Sequence, residues 1–126
     1  MPAATLTPTQ FVAKWAQIQL KERSTAQSHF NDLCRLVGHP EPLDYDPGGQ
    51  DFVFEIQADK PDGDKGYADV FFRGRFIMEY KGPHKDLTAA YRQLQLYRES
   101  LHNPPLLITS DLHNVSENNH LPKSRG

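Results

Sequence analysis

Residues 68–82 read Ala68-Asp-Val-Phe-Phe-Arg-Gly-Arg-Phe-Ile-Met-Glu-Tyr-Lys-Gly82. The stretch reads as two short strands joined by the tight turn Arg73-Gly74-Arg75, a hairpin over about residues 67–81. Three ionisable residues, Asp69, Glu79 and Lys81, interrupt what is otherwise an apolar hairpin. Side chains alternate along a strand, so Glu79 and Lys81 project from the same face. With Asp69 facing the same way, two carboxylates and an ammonium meet at one point. Two carboxylates can hold a hard divalent cation, and a lysine beside them can steer a water or steady developing negative charge. Such a group suits the cutting of phosphodiesters.

Around this hairpin the chain alternates helix and strand signals. Thr7-Pro8-Thr9-Gln10 carries a capping threonine, a first-turn proline and a glutamine three after the cap. Phe11, Val12, Trp15 and Ile18 follow at helical spacing. A second helix starts near Ser24, with Gln27 completing a capping box. It carries Ala26, Phe30, Leu33, Cys34 and Val37 as its apolar face and ends at Gly38. Cys34 reads as a small core residue, and His29 could approach the site from this helix. Residues 39–51, rich in Pro, Asp and Gly, read as a loop.

Phe52-Val-Phe-Glu-Ile-Gln57 alternates, which places Phe52, Phe54 and Ile56 on one face and Glu55 on the other as an additional acid near the site. The turn 58–66 carries Asp59, Asp62 and Asp64 but lacks the ligand spacing and distal glutamate of a calcium loop. Asp86 caps a third helix running to about His102, and Asn103-Pro-Pro105 stops it. Leu106-Leu-Ile-Thr-Ser110 is then a buried strand. From Asn114 the pattern collapses, so residues 114–126 read as a disordered tail after one domain spanning 1–113. A helix, a three-strand meander and a crossover helix to a further strand give an α/β fold with a mixed sheet. The crossover helix carries Gln93 and Tyr97 four apart on one face, able to hydrogen-bond DNA phosphate or brace the lysine.

Composition sets the class. The 126 residues fit one small domain, with 37% hydrophobic and 24% charged residues and a net charge of −2. Residues 1–66 carry 6 basic and 10 acidic side chains, whereas residues 67–126 carry 8 basic and 6 acidic. A locally basic half around an acidic centre suits a polyanionic substrate. One cysteine rules out an internal disulfide and fits a reducing cytoplasm. No apolar run approaches the about 20 residues needed to span a bilayer, and the start MPAATLTPTQ carries no secretory signal. Asn103-Pro-Pro-Leu106 is similar to the tetrapeptide of amino-methyltransferases. Its fourth position lacks the aromatic that stacks on a flipped base, and no glycine-rich strand-to-helix turn is present.

Asp69…Glu79-x-Lys81 followed by Gln93-xxx-Tyr97 resembles the PD-(D/E)XK nuclease superfamily, in the branch with a RecB-like QxxxY helix. The wider chain is similar to the N-terminal region of MmeI-like restriction–modification proteins over roughly residues 8–111. Phe11-Val-Ala-Lys-Trp15, Leu20-Lys-Glu-Arg-Ser24, His29-Phe30, Asp32-Leu-Cys-Arg-Leu36, Gly38-His-Pro40, Glu79-Tyr-Lys-Gly82, His84-Lys-Asp-Leu87 and Tyr91-Arg-Gln93 carry the likeness. Ala68 stands where many members have proline. In that family a nuclease, an adenine-specific DNA methyltransferase and a target-recognition domain share one polypeptide.

The resemblance implies a restriction-endonuclease-like fold and Mg²⁺-dependent cleavage of double-stranded DNA, with Mn²⁺ able to substitute. Asp69, Glu79 and the Tyr80 backbone carbonyl would hold the metal, and Lys81 would complete the catalytic trio. Gln93, Tyr97, Lys85 and Arg92 would support it or contact phosphate. S-adenosylmethionine would serve only a longer, fused member. None of these groups reads bases, so specificity would lie in a methyltransferase and target-recognition module. The rival reading is a non-catalytic nuclease-fold module that docks a methyltransferase or nucleic acid.

Overall fold

A computed structural model describes residues 6–18, 23–82, 86–112 and 115–119. The elements run α1 (Pro8–Trp15), α2 (Arg23–Val37), α3 (Pro42–Tyr45), β1 (Phe52–Asp59), β2 (Lys65–Phe72), β3 (Phe76–Tyr80), α4 (Leu87–Tyr97), β4 (Leu106–Ser110) and β5 (Val115–Asn119). The strands form one sheet in the order β1-β2-β3-β4-β5. β1, β2 and β3 form an antiparallel meander, α4 crosses over so that β4 pairs parallel to β3, and β5 returns antiparallel. This is the α/β, restriction-endonuclease-like mixed sheet flanked by helices that the sequence leads one to expect.

Local chemistry starts and stops these elements where the residues direct. The Thr7 side chain accepts from the Gln10 N–H and the Gln10 amide oxygen accepts from the Thr7 N–H, a reciprocal cap at 3.1 and 3.0 Å. Gly38, at φ +74°, lets His39 N–H reach back to the Cys34 carbonyl at 2.8 Å and closes α2. The expected loop 39–51 holds the single turn α3, opened by Pro42. The Asp46 carboxylate then accepts the backbone N–H groups of Gln50, Asp51 and Phe52 at 2.8, 2.6 and 2.9 Å. These bonds aim the chain into β1.

Two apolar layers sandwich the sheet. On one face Trp15, Ala26, Phe30 and Cys34 from α1 and α2 cover Phe52, Val70, Met78 and Tyr80. On the other, Leu94, Tyr97 and Leu101 cover Ala58, Ala68, Phe71, Ile77 and Leu107. Asp32 ties α1 to α2 from a buried position, accepting from Trp15 Nε1 at 3.0 Å and pairing with Lys14 Nζ at 2.7 Å.

Three expectations are corrected. Phe52 and Phe54 pack toward α1 and α2, but Ile56 packs on the α4 face with Val53. Glu55 causes the exchange: its φ of +57° turns the strand over, and neither Glu55 nor Asp69 has a register partner where β1 and β2 otherwise pair continuously. β2 turns over at the matching place, because Val70 joins the first layer while Ala68 and Phe71 join the second. The crossover helix ends at Tyr97, not near His102. Residues His102 and Asn103 take φ of +68° and +50°, and Asn103 N–H bonds the Arg98 carbonyl at 2.8 Å, so the chain reverses toward β4 before the prolines act. Finally, Val115–Asn119 within the expected tail 114–126 pairs with β4 as a fifth strand, supplied with a partner edge that no local pattern announces. Residues 120–126 lie outside the described residues.

Asp32→Ala leaves the Trp15 indole without this acceptor and Lys14 without its partner. It should lower stability by about 1–3 kcal/mol in urea denaturation, with Asp32→Asn losing less because it keeps an acceptor. Glu55→Gly should raise stability by about 1 kcal/mol, since a non-glycine residue at positive φ stores strain of that order. A destabilised Glu55→Gly protein contradicts the strained turnover.

Candidate active site

The carboxylates meet at the carboxyl end of β3, beside the point where β2 turns over. Asp69 Oδ2 accepts the Tyr80 N–H at 2.7 Å, which bridges β2 to the last residue of β3. Glu79, one residue earlier, is buried with its side chain 7% exposed, and Lys81 Nζ stands 3.7 Å from its Oε2. The Lys81 N–H in turn bonds the Ser110 carbonyl at 2.8 Å, which closes the last parallel pair, Tyr80 with Ser110.

Burial pushes the Glu79 carboxyl up to about 8, reinforced by the Asp69 charge and a side-chain hydrogen bond with Asp69, while Lys81 pulls the other way. Without metal, burial and the Asp69 charge both favour the protonated form of Glu79. Among the described residues the buried Glu79 Oε1 has no hydrogen-bond partner. Burial also drives the Tyr80 phenol well above its usual range, so it stays neutral.

α4 braces the ammonium. Lys81 Nζ donates to Gln93 Oε1 at 3.3 Å, and Gln93 Nε2 donates to the Tyr97 hydroxyl at 2.6 Å. Tyr97 is 1% exposed and lies directly over Gly66 of β2; a Cβ at position 66 would collide with its ring and hydroxyl. Only glycine admits that approach. In the sequence Gly66 ends a polar turn, although an isolated glycine before a strand pattern can signal close approach of another group.

The structure brings Asp69, Glu79, Lys81, Gln93 and Tyr97 into one connected set. Glu55 lines a cavity of about 10 Å³ with Gln27, Asp69 and Tyr80, room for about one water. Gln27 is absent from the sequence-level candidates because its spacing from Ser24 reads as a cap. His29 does not enter the carboxylate cluster: it is 1% exposed among aromatic rings and bonds the Tyr80 hydroxyl at 2.8 Å. Arg92 is exposed on α4, and Lys85 lies outside the described residues.

The donor set fits a small hard cation. Asp69, Glu79 and the Tyr80 carbonyl offer oxygen only, and Glu79 Oε1 is a buried oxygen still short of a partner. Mg²⁺ commonly takes one or two carboxylates and keeps several waters. Among the described residues no group of three or more His, Cys, Asp or Glu side chains is gathered to hold a metal. No described helix is long and apolar enough to cross a membrane.

No curated protein and no solved structure matches the chain. The family model for the MmeI N-terminal domain matches residues 6–122, a span that contains every element from α1 to β5 and the whole carboxylate–lysine cluster. The chain belongs to the MmeI N-terminal domain family, a nuclease-related domain of restriction–modification systems.

Proposed function

We propose that this domain is a Mg²⁺-dependent endonuclease acting on double-stranded DNA within a type IIG/IIL-like restriction–modification system, where it is normally fused to an adenine-specific DNA methyltransferase. The observation that carries the reading is the buried Glu79 carboxyl beside Asp69, one oxygen unpartnered, with the Lys81 ammonium 3.7 Å away and tethered to Gln93. A structural ion pair would need neither the second carboxylate nor the tether, and burying the surplus carboxyl with an oxygen unpartnered among the described residues is unfavourable by about 1–3 kcal/mol unless something offsets it.

Asp69, Glu79 and the Tyr80 carbonyl would hold the cation, which would supply Lewis acidity to the scissile phosphate and lower the pKa of a water. Lys81 presents a positive charge where negative charge builds in the transition state, and orients the attacking water. Gln93 keeps the ammonium aimed, and Tyr97 keeps Gln93 in place. Arg92, exposed on the same helix, and Lys85 contact the phosphate backbone. Base recognition and the S-adenosylmethionine site belong to the fused methyltransferase and target-recognition regions, because phosphate contacts position without reading sequence.

Plasmid nicking in Mg²⁺ or Mn²⁺, against a chelator control, tests the assignment. Lys81→Ala should cut slower by on the order of 10²-fold or more with an unchanged circular dichroism spectrum. A variant that cuts like the parent removes Lys81 from the mechanism. A parent that neither nicks DNA nor binds either ion in calorimetry leaves the non-catalytic docking module as the reading.

Glu79 makes the centre pH-dependent. Its proton is held more tightly in the folded than in the unfolded chain, so it contributes stability below its usual value of 4.5 that is lost as pH rises to about 8. In chelator, denaturant midpoints should fall across that window, and Glu79→Gln should flatten the fall. Metal uptake displaces the same proton, so Mn²⁺ affinity should climb with pH and level off above about 8. An affinity independent of pH between 6 and roughly 8 would show that Glu79 is not a ligand.

A further inference from the structure

His29 is a buried polar ring with no place in the carboxylate cluster. It sits on the α1–α2 side of the sheet, with ring centroids 5.2 Å from Phe11, 4.9 Å from Trp15 and 5.4 Å from Tyr80. Its Nδ1 lies 2.8 Å from the Tyr80 hydroxyl. A phenylalanine or leucine could fill such an apolar box without the desolvation that a buried imidazole suffers. What a hydrocarbon cannot do is bond the tyrosine.

Tyr80 is where such a bond acts on the site. It is the last residue of β3, and both its neighbours, Glu79 and Lys81, belong to the cluster on the opposite, α4 side. Its main chain donates to Asp69 Oδ2 at 2.7 Å, so any swing of Tyr80 carries Asp69 with it. The following Lys81 N–H bonds Ser110 at 2.8 Å. Main-chain N–H donors thus tie this strand end to both neighbouring strands, to the Asp69 side chain on one and the Ser110 carbonyl on the other, and a side-chain bond holds it from the layer beneath. A residue at a strand terminus lacks the ladder continuing beyond it, which is where local opening begins.

We propose that His29 is a positioning residue: by clamping the Tyr80 side chain on one face of the sheet, it holds the Tyr80 main chain, and with it Asp69 at the strand turnover and Glu79 and Lys81 on the other face. The inference rests on the reading of that cluster as a metal-dependent centre. It commits His29 to no proton transfer and no contact with substrate.

Two variants keep the packing and delete the bond, His29→Phe and Tyr80→Phe, the second removing a single oxygen so that it remains usable if the first folds poorly. Phe30→Leu, in the same apolar layer, serves as a control for lost stability alone. In metal-free protein, amide hydrogen exchange at residue 80 should quicken about fivefold relative to amides of β4 in both variants, roughly what one neutral hydrogen bond is worth. Calorimetric Mn²⁺ affinity should fall by a similar factor, and the double variant should lose no more than either single one. Phe30→Leu should speed exchange across the sheet together and leave Mn²⁺ affinity unchanged. Unaltered exchange at residue 80 overturns the clamp, as does unaltered Mn²⁺ affinity in variants of a parent that binds the ion. A parent that binds no Mn²⁺ defeats the metal-centre reading instead, while the exchange comparison still decides the clamp.

Discussion

The hydrogen bond from the Tyr80 N–H to Asp69 Oδ2, 2.7 Å long, is the constraint on which the site depends. Beyond Met78 the regular pairing of β2 with β3 has ended, and a side-chain acceptor takes over from the backbone ladder. Asp69 can reach because β2 turns over at that residue, in step with Glu55 of β1 at φ +57°. Strain of about 1–3 kcal/mol at Glu55 thereby coincides with the placement of a carboxylate beside Glu79. The rest of the domain opposes its relief: α1 and α2 press on one side of the strand end, α4 on the other.

The electrostatics follow from this geometry. Two carboxylates forced together in a buried place cannot both ionise cheaply, and Glu79, the more enclosed, keeps its proton until about pH 8. Lys81 lowers that value but stands 3.7 Å off, with its ammonium shared with Gln93. The proposed divalent-ion site rests on a carboxyl whose proton is held above its usual range, one of its oxygens without a partner among the described residues, and a lysine ammonium 3.7 Å from the other.

Much of the fold was legible because local rules governed it. The Thr7–Gln10 cap, the Gly38 stop, the Arg73-Gly74-Arg75 turn and the Asp86 cap all depend on residues within a few positions of one another. The misreadings arose where that locality failed. Strict alternation assigned Ile56 to the face of Phe54, and a single residue at positive φ reversed it. Leu101 looks like one more helical position, yet it packs under α4 from a turn, because the chain must double back to reach β4. Val115–Asn119 carries no apolar pattern and becomes a strand only because β4 offers an unpaired edge.

For the site the division is similar. Sequence alone determined the order of the elements from α1 to β4, the single turn α3 apart, and the parity that joins Glu79 to Lys81. It also determined the four-residue spacing that stacks Gln93 under Tyr97, because strand and helix periods are properties of the local chain. Tertiary structure alone decided that Asp69 would turn inward, that Glu79 would be buried enough to hold its proton, that Gly66 would admit Tyr97, and that His29 would face Tyr80 rather than the carboxylates. Each of these depends on desolvation or contact between segments tens of residues apart, and no local period encodes such distances.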